Sequence, residues 1–292
     1  VTLTCALLSS VVPAWRAARV DPGDTLKAGS LTLSPGRRWT ATRAWLVGGE
    51  VALTTILLVI GGLLVASLIN VLRIDRGFST ASVVAASLEL PTARYPDAAS
   101  RARFFDLLLD SLRTAPGVQS AGLSRMLPLE GDATIDLFVP AGDTRPEAAQ
   151  PVGNHVQVSA GYFEVMGLAL VRGRLLTPAD HARRVAIISE RTARTLWPGQ
   201  DPIGRSFRRG RSDTWEVVGV VADARIRGFE RDPGLVAYVP YGLNTRNGLS
   251  LVLKGTVGAS TTIDSARRAV QALDPELPLQ HVRTMDAVVD DA

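Results

Sequence analysis

Charge vanishes from the chain between Val51 and Leu72, where the sequence reads VALTTILLVIGGLLVASLINVL. As a helix rising ~1.5 Å per residue this run spans roughly 33 Å, enough to cross a hydrocarbon core of roughly 30 Å. Trp45 flanks it on one side and Arg73, Asp75 and Arg76 on the other, as expected at membrane interfaces. These residues predict a transmembrane helix over 45–72. A second uncharged run, VTLTCALLSSVVPAW over 1–15, is too short to span. Its basic residues follow the apolar stretch, the reverse of a signal peptide. We read it as the end of a transmembrane helix from a preceding unit, with 16–44 as a cytoplasmic linker and the chain as a fragment.

After Arg73 the pattern changes to short amphipathic elements. SVVAASLEL (82–90) predicts a strand, and Asp97 is placed to cap a helix whose apolar positions Phe104, Phe105, Leu108, Leu109 and Leu112 share one face. Pro116-Gly117 ends that helix and VQSAGLSRM resumes as strand. The same order recurs near the end. LSLVLKG (249–255) precedes a helix with Thr261 and Thr262 as cap candidates and Ile263, Ala266, Val270 and Leu273 on its apolar face. Asp274-Pro275 stops it before LPLQHVRTM. Two β-α-β halves, 77–127 and 248–285, predict a split ferredoxin-like subdomain. The region between them, 128–247, carries TIDLFVP, GNHVQVS, RVAIIS, TWEVVGVVADA and LVAYVPY as short strands. Brief helices are expected near 160–166 and 190–197. The expected fold class is α+β: one transmembrane helix and an extracytoplasmic domain in which a mainly β insertion splits a β-α-β subdomain.

Composition supports this division. Hydrophobic residues make up 46% of the chain with only 5% aromatic, and the mean hydropathy of +0.16 is high for a soluble domain. The single cysteine, Cys5, excludes an internal disulfide framework and a thiolate cluster. A formal net charge of +4 could suggest nucleic acid, but the excess is local. Arg16, Arg19, Lys27, Arg37, Arg38 and Arg43 face only Asp21 and Asp24 across residues 16–44, and the rest of the chain is nearly balanced. No nucleic-acid partner is expected. The same basic segment places 16–44 in the cytoplasm by the positive-inside rule, so the helix runs outward and the domain after Arg73 is periplasmic. Glu50 then reads as an interfacial carboxylate near the helix N-terminus.

Catalytic patterns are missing from the sequence. His155, His181 and His281 have no zinc spacing, and there is no G-x-S-x-G elbow. The only lysines are Lys27 and Lys254, and neither follows a glycine, so these residues contain no Walker A motif. No cofactor, metal or catalytic residue is assigned.

Several segments together resemble MacB-like and FtsX-like ABC transporter permeases. VPAWRAARVDPGDTLKAG (12–29), with Pro13, Arg16, Arg19 and Pro22, resembles the segment closing a permease unit. EVALTTILLVIGGLLVASLINVLRIDRGFST, beginning at Glu50, is similar to the first transmembrane helix of such a unit. YFEVMGLALVRGRLLTPAD, RVAIISERTARTLWPGQDPIGRSF and WEVVGVVADARIRG follow, in order, the pattern of a MacB-like periplasmic core domain. They contain Tyr162, Phe163, Gly167, Gly173, Trp197, Pro198, Gly199, Asp201, Pro202, Gly204 and Gly219. The resemblance is nearest to the duplicated orphan permeases of acidobacteria. These motif residues read as structural, with Pro and Gly fixing a turn, Trp197 filling a core gap and Asp201 capping. Arg16 and Arg19 read as lipid-headgroup and orientation determinants.

The resemblance implies a non-enzymatic permease subunit of the cytoplasmic (inner) membrane. Its implied partners are an ABC ATP-binding subunit, a second permease unit, the lipid bilayer and a periplasmic adaptor or cell-envelope protein. The alternative is a membrane-anchored extracytoplasmic sensor, and a further one is an anchored periplasmic enzyme.

Overall fold

The computed structural model describes residues 37–72, 76–130, 134–210, 213–228 and 233–291. Residues 1–72 and 73–292 form two separate compact units. Pro13, Arg16, Arg19 and Pro22, the segment read as the end of a preceding helix, and most of the linker lie outside the described residues.

In the first unit α1 runs Arg37–Leu72, and residues Ala44–Ser67 within it are long and apolar enough to cross a membrane. None of that stretch is buried by protein, as a lipid-facing helix requires. Its two threonines return their hydroxyls to the helix: Thr54 Oγ1 donates to the Glu50 carbonyl at 2.8 Å and Thr55 Oγ1 to that of Val51 at 2.7 Å. This removes two polar groups from contact with lipid. The helix starts within the segment expected as linker, because no Pro or Gly in RRWTATRAW breaks it. Glu50 therefore sits about three and a half turns inside the helix, too far in for its N-terminal dipole to act on it.

Among the described residues, the second unit contains eleven strands in one connected sheet. Its first layer is a platform of β1 (Val83–Glu89), β2 (Val118–Ser124), β10 (Gly248–Gly255) and β11 (Gln280–Thr284), in the order β11-β1-β10-β2 and antiparallel throughout. This is the interleaved order of a split β-α-β fold: each half contributes one inner and one outer strand. The helices α2 (Ala98–Arg113) and α5 (Ala259–Leu273) cover one face. Phe104, Phe105, Leu108, Leu109 and Leu112 of α2 pack there with Leu88, Leu123, Leu251, Leu253 and Val270. Asp97 caps α2 by accepting the Ser100 N–H at 2.7 Å. The start of α5 differs from expectation. Gly258 is its N-cap, and Thr262 is buried inside the first turns with its hydroxyl directed to the Gly117 carbonyl. The site thus favours a tertiary partner over the local cap.

The inserted region closes on itself. β3 (Thr134–Pro140) pairs with β4 (Val152–Val158) and β7 (Ser206–Arg209), and β7 with β8 (Asp213–Val221). β8 pairs in parallel with β6 (Val185–Ser189), and β6 with β9 (Val236–Pro240). A parallel β4–β9 ladder completes the ring, a small six-stranded barrel with β5 (Leu170–Gly173) alongside β8. Phe138, Ala186, Ile188, Phe207, Val217, Ala237 and Val239 fill the lumen, with the Phe138 and Phe207 rings 5.3 Å apart. The helix α4 (Glu190–Leu196) closes one end by packing on β3, β6, β8 and β9. β5 and β7 were not expected as strands, being four residues each and rich in arginine.

Alternation along β6 and β9 joins the two halves. Val185, Ile187, Val236 and Tyr238 point out of the barrel onto α3 (Tyr162–Met166), α6 (Met285–Asp290) and the uncovered platform face at Val83, Ala85 and Val252. Among the described residues, the two sheets pair only at Ser124↔Val158.

Candidate functional site

The motif residues separate into two places. Tyr162 and Phe163 are buried at the platform–barrel junction, their rings 5.9 Å apart and both near Tyr238. Burial raises the Tyr162 phenol well above its usual range. Gly167 ends α3 in the left-handed conformation. Gly173 and Gly219 lie opposite each other in the β5–β8 ladder. A Cβ on Gly219 would come within 2.2 Å of the Arg174 carbonyl oxygen, and one on Gly173 within 2.3 Å of that of Val218. The two strands approach this closely only because both positions lack side chains.

The segment Trp197–Gly204 is an ordered turn beyond α4. Trp197 is buried in the barrel core, and the Gln200 N–H bonds its carbonyl at 3.1 Å. The Asp201 carboxylate accepts the Ile203 N–H at 3.1 Å, while the Asp201 carbonyl accepts Arg205 Nε at 2.8 Å. Pro202 is buried beside them, and Pro198 and Gly199 complete the bend. A shallow cavity of about 350 Å³ borders this turn.

A larger groove, of about 670 Å³, runs between platform and barrel and was not anticipated from the sequence. Asp106 and Asp110 of α2 line one side, and Leu176, Pro178, His181 and Tyr241 the other. The Tyr241 hydroxyl donates to Asp106 Oδ1 at 2.5 Å, and His181 Nδ1 lies 3.5 Å from the same oxygen. The His181 ring stands edge-on to Tyr241 at 5.0 Å. Burial, and then the bond to Asp106, raises the Tyr241 phenol far above its usual range, so it acts as a donor. The loop carrying His181 is rigid because Asp180 is only 1% exposed and fully used. Arg174 bonds it through two nitrogens at 2.6 and 3.0 Å, and the Thr177 N–H and hydroxyl each donate at 2.9 Å. Arg174, with Thr177, holds the Asp180 carboxyl well below the usual range.

This arrangement ties α2 to Tyr241 and to the loop carrying His181, and the donors and acceptors at its centre satisfy each other. Among the described residues no group of three His, Cys, Asp or Glu could hold a metal ion. The two aromatic contacts of His181 and Tyr241 come from loops distant in sequence, and no spacing rule links them to α2.

Residues 51–273 match the family described as the MacB-like periplasmic core domain. The chain is 30% identical over 166 residues to the macrolide export ATP-binding/permease protein MacB of Aggregatibacter actinomycetemcomitans, covering 52% of this chain and 25% of that protein. It therefore spans about a quarter of the length of that relative. Among solved structures, the periplasmic region of MacB from Actinobacillus actinomycetemcomitans aligns with TM-score 0.49 and 18% identity, over 76% of this chain and 97% of the other. The extracellular domain of the noncanonic ABC-type transporter YknZ from Gram-positive bacteria aligns with TM-score 0.45 and 17% identity, over 68% and 100% of the two chains.

Proposed function

The chain belongs to the MacB-like periplasmic core domain family, and from that membership we propose that it works as a permease segment of an ABC transporter in the cytoplasmic membrane. ATP hydrolysis on a partner ATP-binding subunit drives the helices, and the helices move the periplasmic domain, either for export or to transmit force across the envelope. The observation that carries this reading is the family match beginning inside α1: the matched residues, 51–273, take in most of the lipid-length apolar stretch together with the platform and barrel.

The chemistry of the domain suits mechanical work. Two buried polar clusters, around Asp180 and between Tyr241 and Asp106, are paired, which suits a domain moved as a body. The motif residues Trp197–Gly204 act as structure, and Arg16 and Arg19 as orientation determinants at the lipid surface. A second permease unit and a periplasmic adaptor or envelope protein complete the assembly.

Two experiments test the reading. A reporter active only in the periplasm should be active when fused after Ala86 and silent after Gly29; the opposite pattern overturns the orientation. For the coupling, Gln271→Cys in a Cys5→Ser background places a spin label on the exposed side of α5. Distances between labels on paired permease units, reconstituted with the ATP-binding subunit, should shift between ATP and nucleotide-free states. An unchanged distance distribution would favour an anchored sensor.

A further inference from the structure

The barrel is plugged by α4 at one end and opens at the other on a cavity of about 520 Å³. Charged residues at the rim continue the inward-facing rows of the strands: Arg209 follows Phe207 on β7, and Asp213 precedes Trp215 on β8. Arg184 Nη1 and Arg209 Nη2 both bond Asp213, each at 2.7 Å. Arg209 also lies 3.7 Å from Asp136 through Nε, and its guanidinium stands 5.3 Å over the Trp215 ring. These contacts consume both carboxylates at the rim.

Two further arginines reach the same cavity. Arg125 comes from the end of β2 and Arg246 from the loop before β10. Neither guanidinium has a hydrogen-bond or ion-pair partner among the described residues. Burial, and then the charge of Arg246, lowers the Arg125 pKa, so the two cations sense each other. His155 does not add to the positive charge. Burial first, and then Arg209, pushes its pKa down to about 4 despite Asp136, whose Oδ2 lies 2.9 Å from Nδ1 without hydrogen-bond alignment.

Among the described residues, four guanidinium groups therefore face two carboxylates around one opening, an excess of two positive charges at neutral pH. Trp215 also lines this cavity. Trp215 is 4% exposed, and its Nε1–H is buried with no acceptor. A buried indole N–H ordinarily has a partner, and leaving one unmade is costly. Converging cations and an unused donor share one missing component, an acceptor carrying two negative charges.

We propose that the barrel mouth binds a dianionic phosphoryl group, as inorganic phosphate or a small phosphomonoester. Its charge balances the rim. Its tetrahedral oxygens accept from several directions at once, which suits guanidinium forks arriving from β2, β7 and the loop before β10 together with an indole N–H. The cavity falls within the ordinary range of small-molecule sites, leaving space for an organic substituent. This site stands apart from the transporter reading, and neither depends on the other.

The test is calorimetry on the full chain in nanodiscs of zwitterionic lipid at constant ionic strength. The probes are inorganic phosphate, glycerol 3-phosphate and glycerophosphoglycerol, the singly charged headgroup of phosphatidylglycerol. Phosphate and glycerol 3-phosphate should saturate one site, and the phosphodiester should bind about tenfold more weakly or less. The double variant Arg125→Gln/Arg246→Gln should lose binding by about tenfold or more while the unliganded protein melts no lower, since neither side chain has a structural partner. Trp215→Phe, which removes the N–H together with the five-membered ring, should weaken binding several-fold, and its thermal midpoint measured alongside separates that loss from lost packing. Absence of saturable phosphate binding would overturn the proposal, as would undiminished binding in the double variant. Equal binding of the phosphodiester would assign the rim to membrane headgroups instead.

Discussion

In the platform, two helices bring the apolar stripes that cover one face of a four-stranded sheet; in the barrel, the sheet covers itself. The platform core rests on Phe105, Leu108 and Leu112 of α2, residues close in sequence that an isolated helix would already align. The barrel lumen draws Phe138, Ile188, Phe207, Val217 and Val239 from strands that meet only when the β4–β9 ladder forms. One region is assembled from local amphipathic pieces and the other by closure. Stability in the barrel should therefore be more cooperative within the ring and more exposed to a single lesion.

The largest expected effect comes from cutting each core at its centre. Phe105→Ala in the platform and Phe207→Ala in the barrel remove fully buried rings and should each cost about 3–5 kcal/mol. Hydrogen exchange should then separate them. Phe207→Ala is expected to lose protection across β3, β7 and β8 while β1 and β10 keep theirs, and Phe105→Ala the reverse. If either variant opens both regions together, the shared cluster around Tyr162 and Tyr238 makes them one cooperative unit, and the comparison fails.

A second prediction sharpens the contrast through pH. The folded protein holds the His155 pKa near 4, below the ordinary value of 6.5, because burial and Arg209 oppose its charge. The unfolded chain then binds the extra proton first. The associated stability is fully present above about pH 6.5 and is lost as pH falls toward 4, of order 3 kcal/mol for this one group. The platform's Asp274, whose pKa is lowered despite burial by bonds from Tyr95, Glu276 N–H and Arg94, loses its contribution only below the ordinary carboxylate range. Denaturant midpoints measured from pH 7 to pH 4 should flatten in His155→Gln. An unchanged pH profile would show that His155 is not held neutral.

The smallest effect belongs to the most local feature. Asp97→Ala removes the cap of α2 and should lower the thermal midpoint only slightly. Because Phe104 through Leu112 still pack on the sheet, protection in the barrel should not change.

The order of these effects parallels what could be read from the chain. The transmembrane run, the Asp97 cap, the apolar face of α2 and the interrupted β-α-β pattern are all decided by residues within a turn or two of one another. Five strands of the insertion were also legible as short β-rich runs bounded by turn residues. β5 and β7 were not: LVRG and SFRR are too short and too charged to show a period, and they are strands because β8 offers them an unpaired edge. The signal for the barrel mouth was present but unread. Charges at Asp136, Arg209 and Asp213 fall on the same alternation as Phe138, Phe207 and Trp215, which is how a strand carries its inward face out to a rim.

The sequence by itself determined the lipid-length helix, the family, the two β-α-β halves and the strand-rich character of what separates them. Those properties depend on composition and on periods that repeat every two or 3.6 residues. Tertiary structure alone decided the interleaved strand order, the closure of the barrel and the start of α5 at Gly258. It also brought Tyr241 to Asp106 and Arg125 to Arg246. Each of these depends on pairings between residues tens to more than a hundred positions apart, and no local period encodes which partners meet.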